Sequence, residues 1–282
     1  MTDALSIDQI MKEVKPDEIY HLGAQSHVRV SFDVPGYTAQ TDAIGTLNML
    51  EGMRKHCPSS KFYNAATSEL FGDVQETPQK ETTPFYPRSP YGVAKIYAFW
   101  IVKNYREAYN LFAVNGILFN HESERRGSTF VTKKITEGLA KYLKDGDPIY
   151  LGNLYAKRDW GYAPEFVEGM WRMLQQDNPD DFILATGETH TIKEFIDECI
   201  KSIKKMKGEL FWEWKEDDKG RETLWDSIYN RIIIGIDENY YRMSEVNLLW
   251  GDPSKAKEIL GWEPKTKFKD LASRMMINDL NN

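Results

Sequence analysis

Amphipathic helices alternate with short apolar strands through the first part of the chain, and this alternation constrains the fold most strongly. Strands are expected over 18–24, from 61 to a polar cluster at 67–69, and over 111–119. Helices are expected over 6–15, 43–56 and 90–109, where apolar residues recur at helical spacing. Such alternation favours a parallel sheet covered by helices on both faces. The sequence therefore predicts an α/β fold.

The later part of the chain is expected to form a smaller α/β unit. Helices are predicted over 129–144, 164–174, 191–203 and 268–280, and strands over 182–186 and 232–234. Thr191 is a candidate helix cap. Residues 212–231 are rich in charge and tryptophan without clear periodicity, so they are predicted to form a long loop or lid.

Two neighbouring segments carry residues suited to acid–base chemistry. Tyr91 and Lys95 are four residues apart just after Pro90, so both side chains lie on one face of the predicted helix. A cation beside the phenol is expected to lower its pKa toward the range of a general base. Thr67 and Glu69 end the preceding strand. Alone, a Tyr-x-x-x-Lys pair is more often an amphipathic surface pair, but the upstream Thr-Ser-Glu cluster shifts the balance toward a site.

Composition excludes some classes of partner and indicates a compartment. The net charge of -7 gives no basic surface for nucleic acid. Two cysteines far apart in sequence, Cys57 and Cys199, are typical of a reduced, cytoplasmic protein. No apolar stretch approaches the roughly 20 residues of a membrane span, so no membrane partner is expected.

Four motifs resemble the extended short-chain dehydrogenase/reductase superfamily and, within it, the GDP-mannose 4,6-dehydratase family. TSELFG at 67–72 and RSPYGVAK at 88–95 resemble the superfamily. NGILFNHES at 115–123 and GNLYAKRDWG at 152–161 are similar to the dehydratase family in particular. The resemblance covers nearly the whole chain. It implies a Rossmann-like sheet, a soluble homo-oligomer (dimer or tetramer), and NADP and GDP-mannose as ligands.

The family's reaction converts GDP-D-mannose to GDP-4-keto-6-deoxy-D-mannose, the first step toward GDP-fucose and other GDP-deoxysugars. By resemblance, Tyr91 with Lys95 removes the proton of the 4-hydroxyl, Thr67 orients that oxygen, and Glu69 removes the proton at carbon 5. Matches to the family's NADP contacts are Leu22, Gly23, Ala24, Gln25, Ser26, Tyr37, Lys95, His121 and Arg126. Candidates for GDP-mannose are Ser68, Asn120, Lys134, Gly152, Asn153, Lys157, Arg158, Arg242 and Glu245. Lys157 and Arg158 are expected on the diphosphate, and residues 239–246 near the nucleotide. No metal site is expected.

The sequence contains no Gly-rich G-x-G-x-x-G turn of the kind that holds a dinucleotide pyrophosphate. We therefore expect an N-terminally truncated Rossmann domain over 1–122, which carries the catalytic residues and takes strands from the later chain. Residues 123–282 are expected to bind mainly the nucleotide sugar. Three alternatives stay open at this point: a catalytically impaired fragment, a non-catalytic GDP-sugar-binding subunit, and an epimerase of another nucleotide sugar.

Overall fold

The computed structural model describes residues 1–241 and 244–282. The strands are β1 (Glu18–His21), β2 (Lys61–Thr67), β3 (Phe112–Leu118), β4 (Asn120–Glu122), β5 (Ile149–Leu151), β6 (Lys157–Arg158), β7 (Trp160–Tyr162), β8 (Asp181–Leu184), β9 (His190–Thr191), β10 (Trp212–Glu216), β11 (Glu222–Asp226) and β12 (Arg231–Ile236). The α-helices are α1 (Ala4–Val14), α2 (Val28–Asp33), α3 (Pro35–Thr38), α4 (Gly45–His56), α5 (Pro90–Tyr109), α6 (Val131–Asp145), α7 (Ala163–Leu174), α8 (Ile192–Lys207), α9 (Ser254–Leu260) and α10 (Phe268–Asn281).

A parallel sheet forms the centre of the molecule, in the order β1-β2-β3-β8. Successive residues of a strand point to opposite faces, so each strand serves two layers. Phe62 and Ala113 pack with α1, α4 and α5 on one face. Tyr63 and Val114 pack with α7 and α9 on the other. The predicted α/β fold with a Rossmann-like parallel sheet is confirmed.

A buried polar chain crosses this sheet and ties β2, β3 and β8 together. The Asn64 side-chain amide donates to Asn115 at 2.8 Å, and that of Asn115 donates to Asp181 at 2.9 Å. Arg106 of α5 closes the chain with two hydrogen bonds to Asp181, at 3.0 and 2.8 Å. A one-residue slip of any strand would separate these partners, so this hydrogen-bond network fixes the strand register.

The later residues build a second sheet in the order β10-β11-β12-β5. β11 runs antiparallel to both of its neighbours, β10 and β12, and β12 pairs in parallel with β5. The prediction of a long loop over 212–231 is therefore wrong, because most of this segment is a hairpin. One face of the sheet packs on α6, α8 and α10.

The boundary between two domains at residue 122 stays a prediction. β8, α7 and α9 come after it in the chain, yet they complete the first sheet and cover one of its faces. No helix in the described part of the chain is long and apolar enough to cross a membrane.

The segment between β1 and α4 contains more regular structure than its sequence predicts. It forms the short helices α2 and α3 and a π-helical turn over Ala39–Ile44 that continues into α4. The side chains of Thr38, Thr41 and Asp42 in this segment are buried. Polar side chains are thus enclosed next to the carboxyl end of β1.

Candidate active site

A cavity of about 940 Å³ opens at the carboxyl ends of the first three strands of the parallel sheet. In open parallel sheets this edge is where ligands bind. Residues that follow β1, β2 and β3 line one side of it. The start of α6 and residues 151–153, 239–240 and 245 line the other. Both halves of the chain therefore contribute to one site, and all four predicted catalytic residues line it.

The first turns of α5 present Tyr91 and Lys95 to the cavity. The helix starts at Pro90, and the Ser89 hydroxyl caps it by accepting the Gly92 amide proton at 3.0 Å. Tyr91 is 8% exposed and Lys95 2% exposed. The Lys95 ammonium donates to the Ala65 carbonyl of β2 at 3.0 Å and lies 5.9 Å from the Tyr91 ring centroid. The predicted pair on one helix face is therefore present and buried.

Thr67 and Glu69 bring two further polar groups to the phenol. The Thr67 hydroxyl caps the 3-10 turn Ser68–Leu70 by accepting the Glu69 amide proton at 3.2 Å. It also forms a hydrogen bond with the Tyr91 side chain that favours the phenolate. Glu69 is buried, and its negative charge acts on Tyr91 in the opposite direction. A hydroxyl, a phenol and a carboxylate thus face one space.

The prediction that a neighbouring cation lowers the pKa of Tyr91 is wrong in direction. Burial raises the pKa of Tyr91, and the carboxylates of Asp42 and Glu69 add to the rise. The Thr67 hydrogen bond and the Arg126 charge oppose it but do not outweigh it. Burial also lowers the pKa of Lys95. The site as it stands therefore holds Tyr91 as a neutral phenol.

The predicted cofactor residues divide into two groups. Those that line the cavity are Leu22, Ala24, Ser26, Lys95, His121 and Arg126. Gly23, Gln25 and Tyr37 do not line it. The Gln25 backbone N–H donates to the Asp42 carboxylate at 2.7 Å, and its side-chain amide donates to the Thr38 hydroxyl at 3.2 Å. These hydrogen bonds hold the loop that follows β1 on the side away from the cavity. Tyr37 lies on α3 and is 59% exposed, away from the cavity.

His121 and Arg126 are both held in fixed orientations. His121 Nδ1 donates to the Phe119 carbonyl at 2.9 Å, and burial lowers the pKa of this histidine to about 4. It is therefore neutral at pH 7, with Nε2 as an acceptor. Arg126 pairs with the buried carboxylate of Glu122 at 3.0 Å and covers the Phe130 ring at 3.7 Å.

Most of the predicted substrate residues line the same cavity: Ser68, Asn120, Lys134, Gly152, Asn153, Arg158 and Glu245. Lys157 does not, because neighbouring residues of β6 point to opposite sides, and its side chain is exposed where that of Arg158 is buried. Arg242 lies outside the described residues.

The turn over 238–240 forms one wall of the cavity, as the prediction for 239–246 anticipates in part. The Lys134 ammonium lies 3.4 Å from the centroid of the Tyr240 ring. Gly152 passes so close that a Cβ there would stand 2.7 Å from the Tyr240 carbonyl oxygen. Only glycine fits this contact without a backbone shift.

Asp42 and Glu122 are two residues in or beside the cavity that were not singled out from the sequence, whereas Tyr240 lies in the predicted segment 239–246. Glu122 lies inside the family motif at 115–123, so its position was the available signal. Asp42 has no such signal, because a single acidic residue near a helix start reads as solvated. Among the residues that the structure describes, no group of three or more His, Cys, Asp or Glu side chains is arranged to hold a metal ion.

Comparison with solved structures agrees with this architecture. A structure of RMD from Pseudomonas aeruginosa complexed with NADPH superposes with a TM-score of 0.80 at 18% identity, over 100% of this chain and 87% of the other. DesIV, a dTDP-glucose 4,6-dehydratase from Streptomyces venezuelae, gives 0.78 at 19% identity, over 100% and 78%. At these identities the likeness shows the fold, so the chain is an α/β protein with a Rossmann-like parallel sheet whose carboxyl edge carries the Tyr91 and Lys95 pair.

Sequence relatives narrow the class further. The family model described as GDP-mannose 4,6 dehydratase matches residues 1–275. GDP-mannose 4,6 dehydratases from Cricetulus griseus and Homo sapiens are each 54% identical over 99% of this chain and 74% of their own length. The enzyme from Vibrio cholerae is 51% identical over 99% and 77%. The chain belongs to the GDP-mannose 4,6-dehydratase family.

Proposed function

We propose that the protein is a lyase that converts GDP-D-mannose to GDP-4-keto-6-deoxy-D-mannose with NADP as a cofactor that is regenerated in each turnover. The observation that carries this proposal is the convergence of Thr67, Glu69, Tyr91 and Lys95 on one cavity that also holds Arg158. The identity to dehydratases over 99% of the chain supports it. It does not favour the impaired fragment or the binding-only subunit.

The donor set on one side of the cavity fits the nicotinamide end of such a cofactor. The Lys95 ammonium could donate hydrogen bonds to ribose hydroxyls, and the Arg126 guanidinium could pair with a phosphate. Leu22, Ala24 and Ser26 contribute the loop that follows β1. A nicotinamide cofactor held by these residues would supply the hydride acceptor and donor that the reaction needs. The choice of NADP over NAD rests on the family resemblance.

Oxidation at carbon 4 requires a base at the 4-hydroxyl. The phenol of Tyr91 is placed for this role, and the Thr67 hydrogen bond and the Arg126 charge favour the phenolate that it must form. We assign further support of that phenolate to Lys95, whose ammonium lies 5.9 Å from the Tyr91 ring centroid. Because burial raises the pKa of Tyr91, the free site does not hold this phenolate at pH 7. We propose that bound ligands complete the base by adding positive charge and hydrogen bonds.

Loss of water requires a second base, since the 4-ketone acidifies the proton on carbon 5. Glu69 follows Thr67 by two residues across the 3-10 turn, so its carboxylate approaches the same sugar ring from another direction. We assign it removal of the carbon 5 proton and assistance to the departing 6-hydroxyl. The two bases thus act on neighbouring carbons of one ring.

The opposite side of the cavity suits a nucleoside diphosphate. Arg158 is buried, and its guanidinium donates to the Lys157 carbonyl at 2.9 Å, which fixes its direction. Lys134 adds a second cation beside Tyr240. The close approach of Gly152 to the Tyr240 backbone shapes this wall of the cavity. We propose that these groups hold the diphosphate and nucleoside of GDP-mannose. A cytoplasmic location and a homo-oligomeric state are parts of the same proposal.

The test is to incubate the purified chain with GDP-mannose and NADP and to follow the product by mass spectrometry. We expect a product lighter by one water that carries a 4-keto group. Tyr91→Phe should lower kcat by about 10²- to 10⁴-fold, as expected for loss of a general base. Tyr97→Phe, on the exposed face of the same helix, is the matched control and should keep wild-type turnover. A fully active Tyr91→Phe variant would contradict the assignment.

A further inference from the structure

Asp42 is a fully buried carboxylate that the proposed reaction does not yet use. It lies in the π-helical turn Ala39–Ile44, which packs against α5. Its Oδ1 accepts the Gln25 amide proton at 2.7 Å, and its backbone carbonyl accepts the Thr46 hydroxyl proton at 2.7 Å. These two hydrogen bonds fix the position of Asp42 against the loop that follows β1.

The second carboxylate oxygen, Oδ2, is also buried, but no described group donates a hydrogen bond to it. An uncompensated buried carboxylate oxygen is costly, so it calls for a nearby positive charge. Lys95 is the buried cation in this region, and one of its N–H groups donates to Ala65. The two side chains form a buried pair of opposite charges without a direct contact.

The electrostatics of the region agree with this pairing. Burial raises the pKa of Asp42 to about 6, and the Lys95 charge opposes that rise. Burial lowers the pKa of Lys95, and the Asp42 charge opposes that fall. The other titratable groups that act on this pair or on Tyr91 are His21, Glu69 and Arg126. The Asp42 charge therefore favours the ammonium form of Lys95.

We propose that Asp42 is a positioning residue whose carboxylate is the counter-charge that keeps Lys95 cationic beside Tyr91. The same carboxylate fixes the Gln25 backbone in the loop that follows β1. The inference rests on the proposed function for its role in turnover. If Asp42 had only a structural role, its carboxylate would act only by accepting the Gln25 hydrogen bond and would not affect the charge of Lys95. Asp42→Asn separates the two roles, because the amide oxygen can still accept the Gln25 proton but carries no charge.

The direct test is an NMR titration of the full chain labelled with ¹⁵N-lysine, with the Lys95 signal identified by its loss in Lys95→Met. In Asp42→Asn, we expect the Lys95 titration midpoint to move to lower pH. Glu81→Gln is the matched control, since Glu81 is another shielded carboxylate that accepts a backbone proton, from Ile183 at 2.8 Å, and lies outside the cavity. It should leave the midpoint unchanged. An unchanged midpoint in Asp42→Asn would overturn the proposal.

Turnover supplies a second readout. If Lys95 must be protonated, the alkaline limb of kcat against pH should move to lower pH in Asp42→Asn and stay in place in Glu81→Gln. A wild-type chain without dehydratase activity would refute the proposed function, yet the lysine titration would still decide the role of Asp42. Should Asp42→Asn not fold, Asp42→Ser serves in the titration. Failure of both to fold would assign Asp42 to folding alone and overturn the proposal.

Discussion

At the scale of single residues, the site depends on polar groups that burial keeps from their usual ionisation. Tyr91 is more weakly acidic than a free phenol, and His121 is more weakly basic than a free imidazole. The sequence could predict Tyr91, Lys95, Thr67 and Glu69, because local spacing and motifs carry them. It could not predict the direction of the pKa shifts of Tyr91 and Lys95, since these depend on Asp42 and on burial, which only the tertiary structure brings together.

Glu69 gives the most specific prediction at this scale. In Glu69→Gln, oxidation at carbon 4 should persist while dehydration stops, because only the second base is removed. With GDP-mannose and NADP, we expect slow exchange at carbon 4 or a trapped 4-keto sugar, and no 6-deoxy product by mass spectrometry. Glu81→Gln, outside the cavity, should retain normal product formation. Normal 4-keto-6-deoxy product from Glu69→Gln would remove Glu69 from the mechanism.

His21 predicts how stability responds to acid. Burial lowers the pKa of His21 from the usual 6.5 to about 3, and its Nε2 lies 3.0 Å from the Thr46 hydroxyl. The folded state resists the proton that the unfolded chain takes up, so this contribution to stability is present above pH 6.5 and is lost as pH falls toward 3. The free energy of unfolding therefore changes through His21 by at most about 1.4 kcal/mol per pH unit.

Urea unfolding at pH 7 and pH 5 measures this effect. The wild type should lose more unfolding free energy between the two pH values than His21→Gln, which cannot take up the proton. His56→Gln, at a less buried histidine of α4, is the matched control and should follow the wild type more closely. Equal losses in wild type and His21→Gln would show that His21 is not the group responsible.

At the scale of secondary structure elements, strong local signals gave correct predictions. α5 begins at Pro90 and ends at Tyr109 as expected, and Thr191 caps α8 through a complete capping box. The hairpin of β10 and β11 was missed because β10 is only five residues long, so the alternation of Trp212 and Trp214 with charged residues is too brief to stand out. The turn signal was present in the DDKG sequence at 217–220, where glycine has a φ of +70°.

The N-terminus of α5 links local structure to activity. Ser89→Ala removes the hydroxyl that accepts the Gly92 proton, and should reduce the free energy of unfolding by about 1 kcal/mol. Because Tyr91 is in the first turn, kcat should fall as well. Thr191→Ala removes the corresponding cap of α8 and should destabilise similarly without loss of kcat. Denaturation and steady-state assays of both variants test this, and equal kcat values would refute the link.

At the scale of the whole molecule, the cavity exists only because distant parts of the chain meet. Residues after β1, β2 and β3 form one wall, and the start of α6 with the turn at Tyr240 forms the other. The sequence predicted the residue types on both walls through family motifs. It could not predict that Lys157 points away while Arg158 points inward, because that depends on how β6 pairs with β9.

We propose that one site oxidises carbon 4 and returns the same hydride to carbon 6. The most direct measurement uses GDP-mannose labelled with deuterium at carbon 4, incubated with the chain and unlabelled NADP, with the product analysed by NMR. We predict that the deuterium appears at carbon 6 of the 4-keto-6-deoxy sugar. Deuterium that is lost to solvent or stays at carbon 4 of an epimerised sugar would contradict the account.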